Sequence, residues 1–103
     1  MQGFVFRLVP PRPTFAFDMT DDERALMGEH AAYWAELTAA GRTIAYGPVN
    51  DPAGSYGLAV VLAEDLAAAE ALRDADPAVR SPHGLRAEIA PMIMLVTPTA
   101  RYG

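Results

Sequence analysis

Residues 42–63, RTIAYGPVNDPAGSYGLAVVLA, decide how this chain folds. Arg42 to Val49 alternates and β-branches like a strand, with Thr43-Ile44-Ala45-Tyr46 running into Gly47-Pro48. Asn50 to Tyr56 carries Asp-Pro and Gly, the chemistry of a turn. Gly57 to Ala63 is nearly all apolar (Leu58, Val60, Val61, Leu62), which predicts a strand covered on both faces. A linker this short joins the two strands as an antiparallel hairpin.

Helical signals flank the hairpin on both sides. Upstream, Thr20 and Glu23 have capping-box spacing, and Asp21, Asp22 and Glu23 suit a helix N-terminus. That helix is expected to run to about Ala40 and stop at Gly41, with Leu26, His30, Trp34 and Leu37 on one face and Met27, Ala31 and Tyr33 beside them. Downstream, Asp65 caps a second helix, Leu66 to about Ala75, with Pro77 just past its end.

Gln2 to Val9 reads as a first strand, with Phe4, Phe6 and Leu8 on one face and Val5, Arg7 and Val9 on the other. Pro10, Pro11 and Pro13 end it, and Pro10 to Met19 is expected to be a loop anchored by Phe15 and Phe17. Leu85 to Val96 reads as a long last strand, bent near Pro91, followed by a tail that is loose or lies at an interface.

The resulting order is βαββαβ. It predicts an α+β, ferredoxin-like domain over residues 1–103, with a four-stranded antiparallel sheet and both helices on one face. The bare face of the sheet needs a cover, and a second copy of the chain, a homodimer, is the simplest one.

Composition narrows the function. The 103 residues are 51% hydrophobic with a net charge of −5, enough for one core. All eight basic residues are arginines, scattered from Arg7 to Arg101 without a run. Nucleic acid and anionic membrane surfaces both need clustered positive charge, so neither is an expected partner. The absence of cysteine excludes disulfides, thiolate nucleophiles and sulfur-ligated metals. Met1 to Pro13 does not have the pattern of a signal peptide, and no apolar run approaches a membrane span, so a cytoplasmic location is expected.

The candidate chemistry centres on His30 and Asp76, which only folding can bring together. A histidine titrates near neutral pH, and a carboxylate beside it would fix its tautomer and stabilise its charged form. Each has a plainer alternative: His30 as a satisfied core residue, Asp76 as a turn former hydrogen-bonding nearby backbone. Asp74 is read as solvated. Tyr33, Trp34 and Tyr46 suit the aromatic wall of a pocket for a flat ligand, although Trp34 reads first as core. Gly47-Pro48 would let such a ligand approach the backbone.

Other features carry less. Tyr56 reads as a hairpin-end residue and His83, in Ser81-Pro82-His83-Gly84, as a solvated loop residue. The histidines lack metal-ligand spacing, so no metal is expected. Gly54-x-x-Gly57 lacks the lysine and following helix of a phosphate loop.

The same residues resemble the YCII-related (YciI-like) family. The resemblance rests on Glu29-His30 with Tyr33 and Leu37, Ala40-Gly41, Tyr46-Gly47-Pro48, the apolar strand opening at Gly57, Ala75-Asp76-Pro77, and Glu88 with Pro91, in order across residues 24 to 96. It implies a dimeric α+β barrel in which His30 and Asp76 form the catalytic pair. Some relatives resemble dehydrochlorinases of chlorinated aromatic hydroxyquinones, and the wider fold group includes lactone isomerases and cofactor-free oxygenases. The Pro10–Met19 loop departs from the family pattern and is placed to line or lid the cleft.

The expectation is therefore a small enzyme with no cofactor, moving a proton on a cyclic or aromatic substrate in a lyase or isomerase step. The alternatives are a dimeric ligand-binding or accessory module without chemistry, and a domain whose role is the dimer itself.

Overall fold

The computed structural model describes residues 1–103. Its elements are β1 (Gln2–Val9), α1 (Phe15–Asp18), α2 (Asp21–Ala39), β2 (Thr43–Val49), β3 (Tyr56–Ala63), α3 (Leu66–Asp74), α4 (Pro77–Arg80), β4 (Arg86–Pro91), β5 (Leu95–Val96) and β6 (Arg101–Tyr102). The main sheet has the order β2-β3-β1-β4 and is antiparallel throughout. This is the expected α+β arrangement with a four-stranded antiparallel sheet, consistent with a ferredoxin-like fold.

Alternation along β1 sets the core. Phe4 and Phe6 pair with Val61 and Ala59 of β3, and Leu8 pairs with Gly57. Phe4, Phe6, Leu8, Ala59, Val61 and Ala63 are all buried, in one cluster with Leu26 and Trp34 of α2, Ala69 and Leu72 of α3, and Ala78 of α4. Burying each large apolar side chain contributes ~1.5–3 kcal/mol.

The opposite face carries Val5, Arg7, Leu58 and Val60, in register across β1 and β3. Coverage of β3 on both faces is therefore only partial: Leu62 is buried, but Leu58 and Val60 are half-buried.

Helix ends follow local chemistry. Thr20 caps α2 with a reciprocal Glu23 box, and Gly41, at φ +76°, ends the helical turn in the left-handed conformation. Asp65 caps α3 by accepting from Ala68 N at 2.8 Å.

Three expectations change. The Pro10–Met19 segment contains the helical turn α1, in which Phe15 is buried and Phe17 is 74% exposed. Successive helical residues turn by about 100°, so two aromatics two apart cannot both anchor. Second, the last strand breaks after Pro91. Met92 N still bonds to Gly3 O at 2.9 Å, but the chain then turns, and β5 pairs with β6. Third, the tail is an ordered hairpin, closed by Thr97, whose Oγ1 accepts from Ala100 N at 2.9 Å. No helix is long and apolar enough to cross a membrane.

Candidate functional site

His30 and Trp34 lie one turn apart on α2, so their rings project from the same helix face. Asp76 lies just past the second helix, where the sequence put it, but it also opens a further helical turn. It follows α3 and serves as the N-cap of α4, with Pro77 at the first helical position and its own Oδ1 accepting from Ala78 N at 2.9 Å. The turn-forming role and the pairing role thus coexist in one carboxylate.

The Asp76 side chain is fully buried. His30 Nδ1 lies 2.8 Å from its Oδ2 and 3.0 Å from its Oδ1, and Trp34 Nε1 donates to Oδ2 at 2.8 Å. Every group that faces the carboxylate is able to donate, which suits an acceptor-only ionised form. With Nδ1 held by Asp76, Nε2 is the free ring nitrogen. It has no partner in the chain, yet Thr43 Oγ1 is the only buried side-chain polar atom left without one, so Nε2 retains accessible surface.

That surface opens on a cavity of about 290 Å³. Its floor is two rungs of the sheet: Tyr46, Ala59 and Phe6 in register, then Pro48, Gly57 and Leu8. A Cβ on Gly57 would come 3.2 Å from Leu8 Cβ, so the second rung is tight as built. Met27, His30, Ala31 and Trp34 of α2 form one wall, and Pro10, Phe15, Ala16 and Met19 form another. Thirteen of the nineteen lining residues are hydrophobic, and His30 is the only one able to carry a positive charge near neutral pH.

Of the residues singled out from sequence, His30, Trp34, Tyr46, Gly47 and Pro48 line this cavity. Trp34 is core as well, 1% exposed and packed 4.7 Å from Phe6 between ring centroids. Tyr33 does not line it. Its ring meets Trp34 edge-on at 5.3 Å, and its hydroxyl donates to Leu72 O at 2.7 Å. Burial, and then the charge of Asp76, push the Tyr33 hydroxyl above its ordinary pKa.

Tyr56 departs from its reading as a simple hairpin end, because it lines the cavity with the Arg7 guanidinium 4.3 Å over its ring. His83 is half-buried, away from the cavity. No three His, Cys, Asp or Glu side chains converge in a way that would hold a metal ion.

The loop wall is fastened by a clasp. Arg12 donates from both terminal nitrogens to Glu23, at 2.8 and 2.9 Å, and from Nε to Asp18 at 2.8 Å. Its guanidinium also lies 5.2 Å from the Phe15 ring centre, above a cavity-lining side chain. The fork of Arg12, and then the Thr20 N–H, hold the Glu23 carboxyl down to about 2. The capping box gave away the helical end of this clasp, but nothing in the spacing pointed to Arg12, eleven residues earlier.

No curated protein matches the chain. The model of the YCII-related domain matches residues 4–93, which take in β2, β3, β4 and all but the first two residues of β1, together with His30, Trp34 and Asp76. With most of its length matched, the chain belongs to the YCII-related family.

Proposed function

We propose that the chain is a small enzyme that works without a cofactor, with His30 moving a proton on a cyclic or aromatic substrate held in the cavity. One observation carries this reading: His30 Nδ1 is bound to a buried carboxylate while Nε2 stays accessible beside an apolar cavity. Nε2 takes a proton from an activated carbon of the substrate, and Asp76 stabilises the imidazolium that results. In an elimination the C–H electrons form the new double bond, and the leaving group departs with its own electron pair. In an isomerisation Nε2 returns the proton to a different carbon. Histidine general catalysis supplies ~10²–10⁴-fold, which suits activated carbon acids. Trp34, Tyr46, Gly47 and Pro48 contact the ring.

The cavity size agrees with a small ligand. A void of about 150 Å³ holds benzene, so one of about 290 Å³ suits a substituted ring or a compact bicycle.

The test is a panel of halogenated hydroxyquinones and unsaturated lactones, run with the wild type and His30→Ala. Turnover by the wild type that falls at least about a hundredfold in a folded His30→Ala is the expected result. Undiminished turnover in the variant removes His30 from the mechanism.

The second reading, a ligand-binding module without chemistry, draws on the predominance of apolar lining. It is favoured if panel members bind but none is turned over.

Our reading includes a homodimer. The sheet face with Val5, Leu58 and Val60 has no helical layer, and Ile93 and Val96 beside it are 99% and 65% exposed. Light scattering is expected to give twice the mass of the chain, and a monomeric mass at micromolar concentration would refute it.

A further inference from the structure

We propose that Trp34 is a positioning residue for the His30–Asp76 pair, its indole N–H holding the Asp76 carboxylate in the plane that presents both oxygens to His30. This rests on the proton-transfer reading and deepens it.

The geometry around Asp76 has a definite order. Ala78 N–H bonds Oδ1 at 2.9 Å and Trp34 Nε1–H bonds Oδ2 at 2.8 Å, one fixed donor for each oxygen. His30 Nδ1 straddles the pair, 3.0 Å from Oδ1 and 2.8 Å from Oδ2. The last torsion of an aspartate is soft and has no sharp staggered well. A single anchor at Oδ1 would therefore leave Oδ2 free to swing. The second anchor fixes the plane, and with it the tilt of the imidazole and the aim of Nε2.

A packing role alone does not account for this residue. Its ring is 1% exposed and packs against Phe6, but an aromatic ring without a donor would fill that space. Burying an indole N–H carries a cost unless it is bonded, and here its partner is the one fully buried carboxylate in the chain. The indole is itself held still. Tyr33 meets it edge-on at 5.3 Å and 85°, and the Tyr33 hydroxyl is tied to Leu72 O at 2.7 Å. The support thus runs from α3 through Tyr33 and Trp34 to Asp76 and His30. Trp34 reaches Asp76 only because it lies four residues after His30 on the same helix face.

The expected effect has a sign. Removing the indole donor leaves more negative charge on Oδ2, which then holds the His30 proton more tightly. Trp34→Phe is therefore expected to raise the titration midpoint of His30, by about half a pH unit or more. Asp76→Asn removes the negative charge and is expected to lower it.

NMR titration of the ligand-free protein tests this without any substrate. The chain has two histidines and one tryptophan, so His30 is assigned against a His83→Asn control and the indole N–H gives one peak. A raised midpoint in Trp34→Phe with a lowered one in Asp76→Asn supports the proposal. A midpoint unmoved by Trp34→Phe but moved by Asp76→Asn overturns it and leaves the dyad standing. A midpoint unmoved by Asp76→Asn sinks the dyad, and with it the role of Trp34. If Trp34→Phe does not fold, the wild-type indole peak decides. It is expected to follow the His30 titration, and a peak that stays fixed across that range overturns the proposal.

Discussion

His30 Nδ1 and Asp76 Oδ2 lie 2.8 Å apart across 46 positions of sequence, one on the long helix and the other on the cap of a single-turn helix. The contact ties the α2 layer to the segment that links α3 to β4. It makes Asp76 at once a capping residue, a partner for an imidazole and an acceptor for an indole. Structure and proposed chemistry therefore depend on the same carboxylate.

Asp76→Ala is expected to destabilise the fold by about 2–4 kcal/mol. Loss of an N-cap costs ~0.5–2 kcal/mol, and each buried donor left without a partner adds ~1–3 kcal/mol, less whatever water enters to replace the carboxylate. Asp76→Asn keeps the side-chain oxygen that caps Ala78 and is expected to cost less. Urea unfolding of both variants checks the order. Equal loss in the two would mean that the carboxylate charge, not the cap, dominates.

Much of this arrangement was legible in the sequence, and the reasons differ by element. The strands of the antiparallel sheet followed from alternation in residues 2–9 and the hairpin of residues 42–63, because period-two patterns and turn residues act locally. The capping box at Thr20 and Glu23 was legible for the same reason. The pairing of His30 with Asp76 was suggested by residue type and family resemblance, since no local rule spans 46 positions. Trp34 as a donor to Asp76 was not legible, because a buried tryptophan reads as packing until its N–H is seen to have a partner. A bend near Pro91 was legible, but the departure of the chain from the sheet after it was not. The apolar run of Met92 to Val96 continues the strand pattern, and only the seat that Gly3 offers to Leu95 shows why the chain leaves the sheet.

The Arg12–Glu23 clasp gives the cavity wall an acid limit. Glu23 has its folded pKa lowered from 4.5 to about 2. A depressed carboxyl contributes stability that is present above its unfolded pKa and lost as pH falls through the folded one. The clasp is therefore expected to hold at neutral pH and to weaken progressively between about pH 4.5 and 2. Arg12→Ala is expected to weaken this dependence, leaving the part that the Thr20 N–H supplies, and to speed limited proteolysis within residues 10–19 at neutral pH. Proteolysis rates equal to those of the wild type would show that the loop is held by Phe15 alone.

Phe15 and Phe17 flank one residue of α1 and are expected to respond in opposite ways. Phe15 is 3% exposed and lines the cavity. Phe15→Ala is expected to cost ~3–5 kcal/mol, the range for truncating a buried aromatic, and to open the site to water. Phe17 is 74% exposed, so Phe17→Ser is expected to change stability by no more than about 0.5 kcal/mol. Thermal unfolding of the two variants distinguishes them. A large loss from Phe17→Ser would mean that its exposed ring is covered in the protein in solution.

Gly3 decides where the C-terminal hairpin sits. A Cβ built on Gly3 would stand 2.8 Å from Leu95 Cβ and 2.9 Å from Leu95 Cδ2, closer than side-chain carbons approach. Leu95 is 7% exposed, and its neighbour across β1 and β3 is Leu62, paired with Gly3 and 6% exposed. Gly3→Ala is therefore expected to push Leu95 off the sheet, exposing Leu62 and fraying the β5–β6 pair. The cost is expected near the overpacking range of ~1–3 kcal/mol. Because β1 itself is held on both sides by β3 and β4, the damage is expected to stay at the hairpin. Amide exchange is the suitable readout: faster exchange at Val96 and Thr97, with β1 unchanged, is the predicted pattern. Faster exchange throughout β1 would mean that Leu95 packing at this point supports the sheet itself and not only the hairpin.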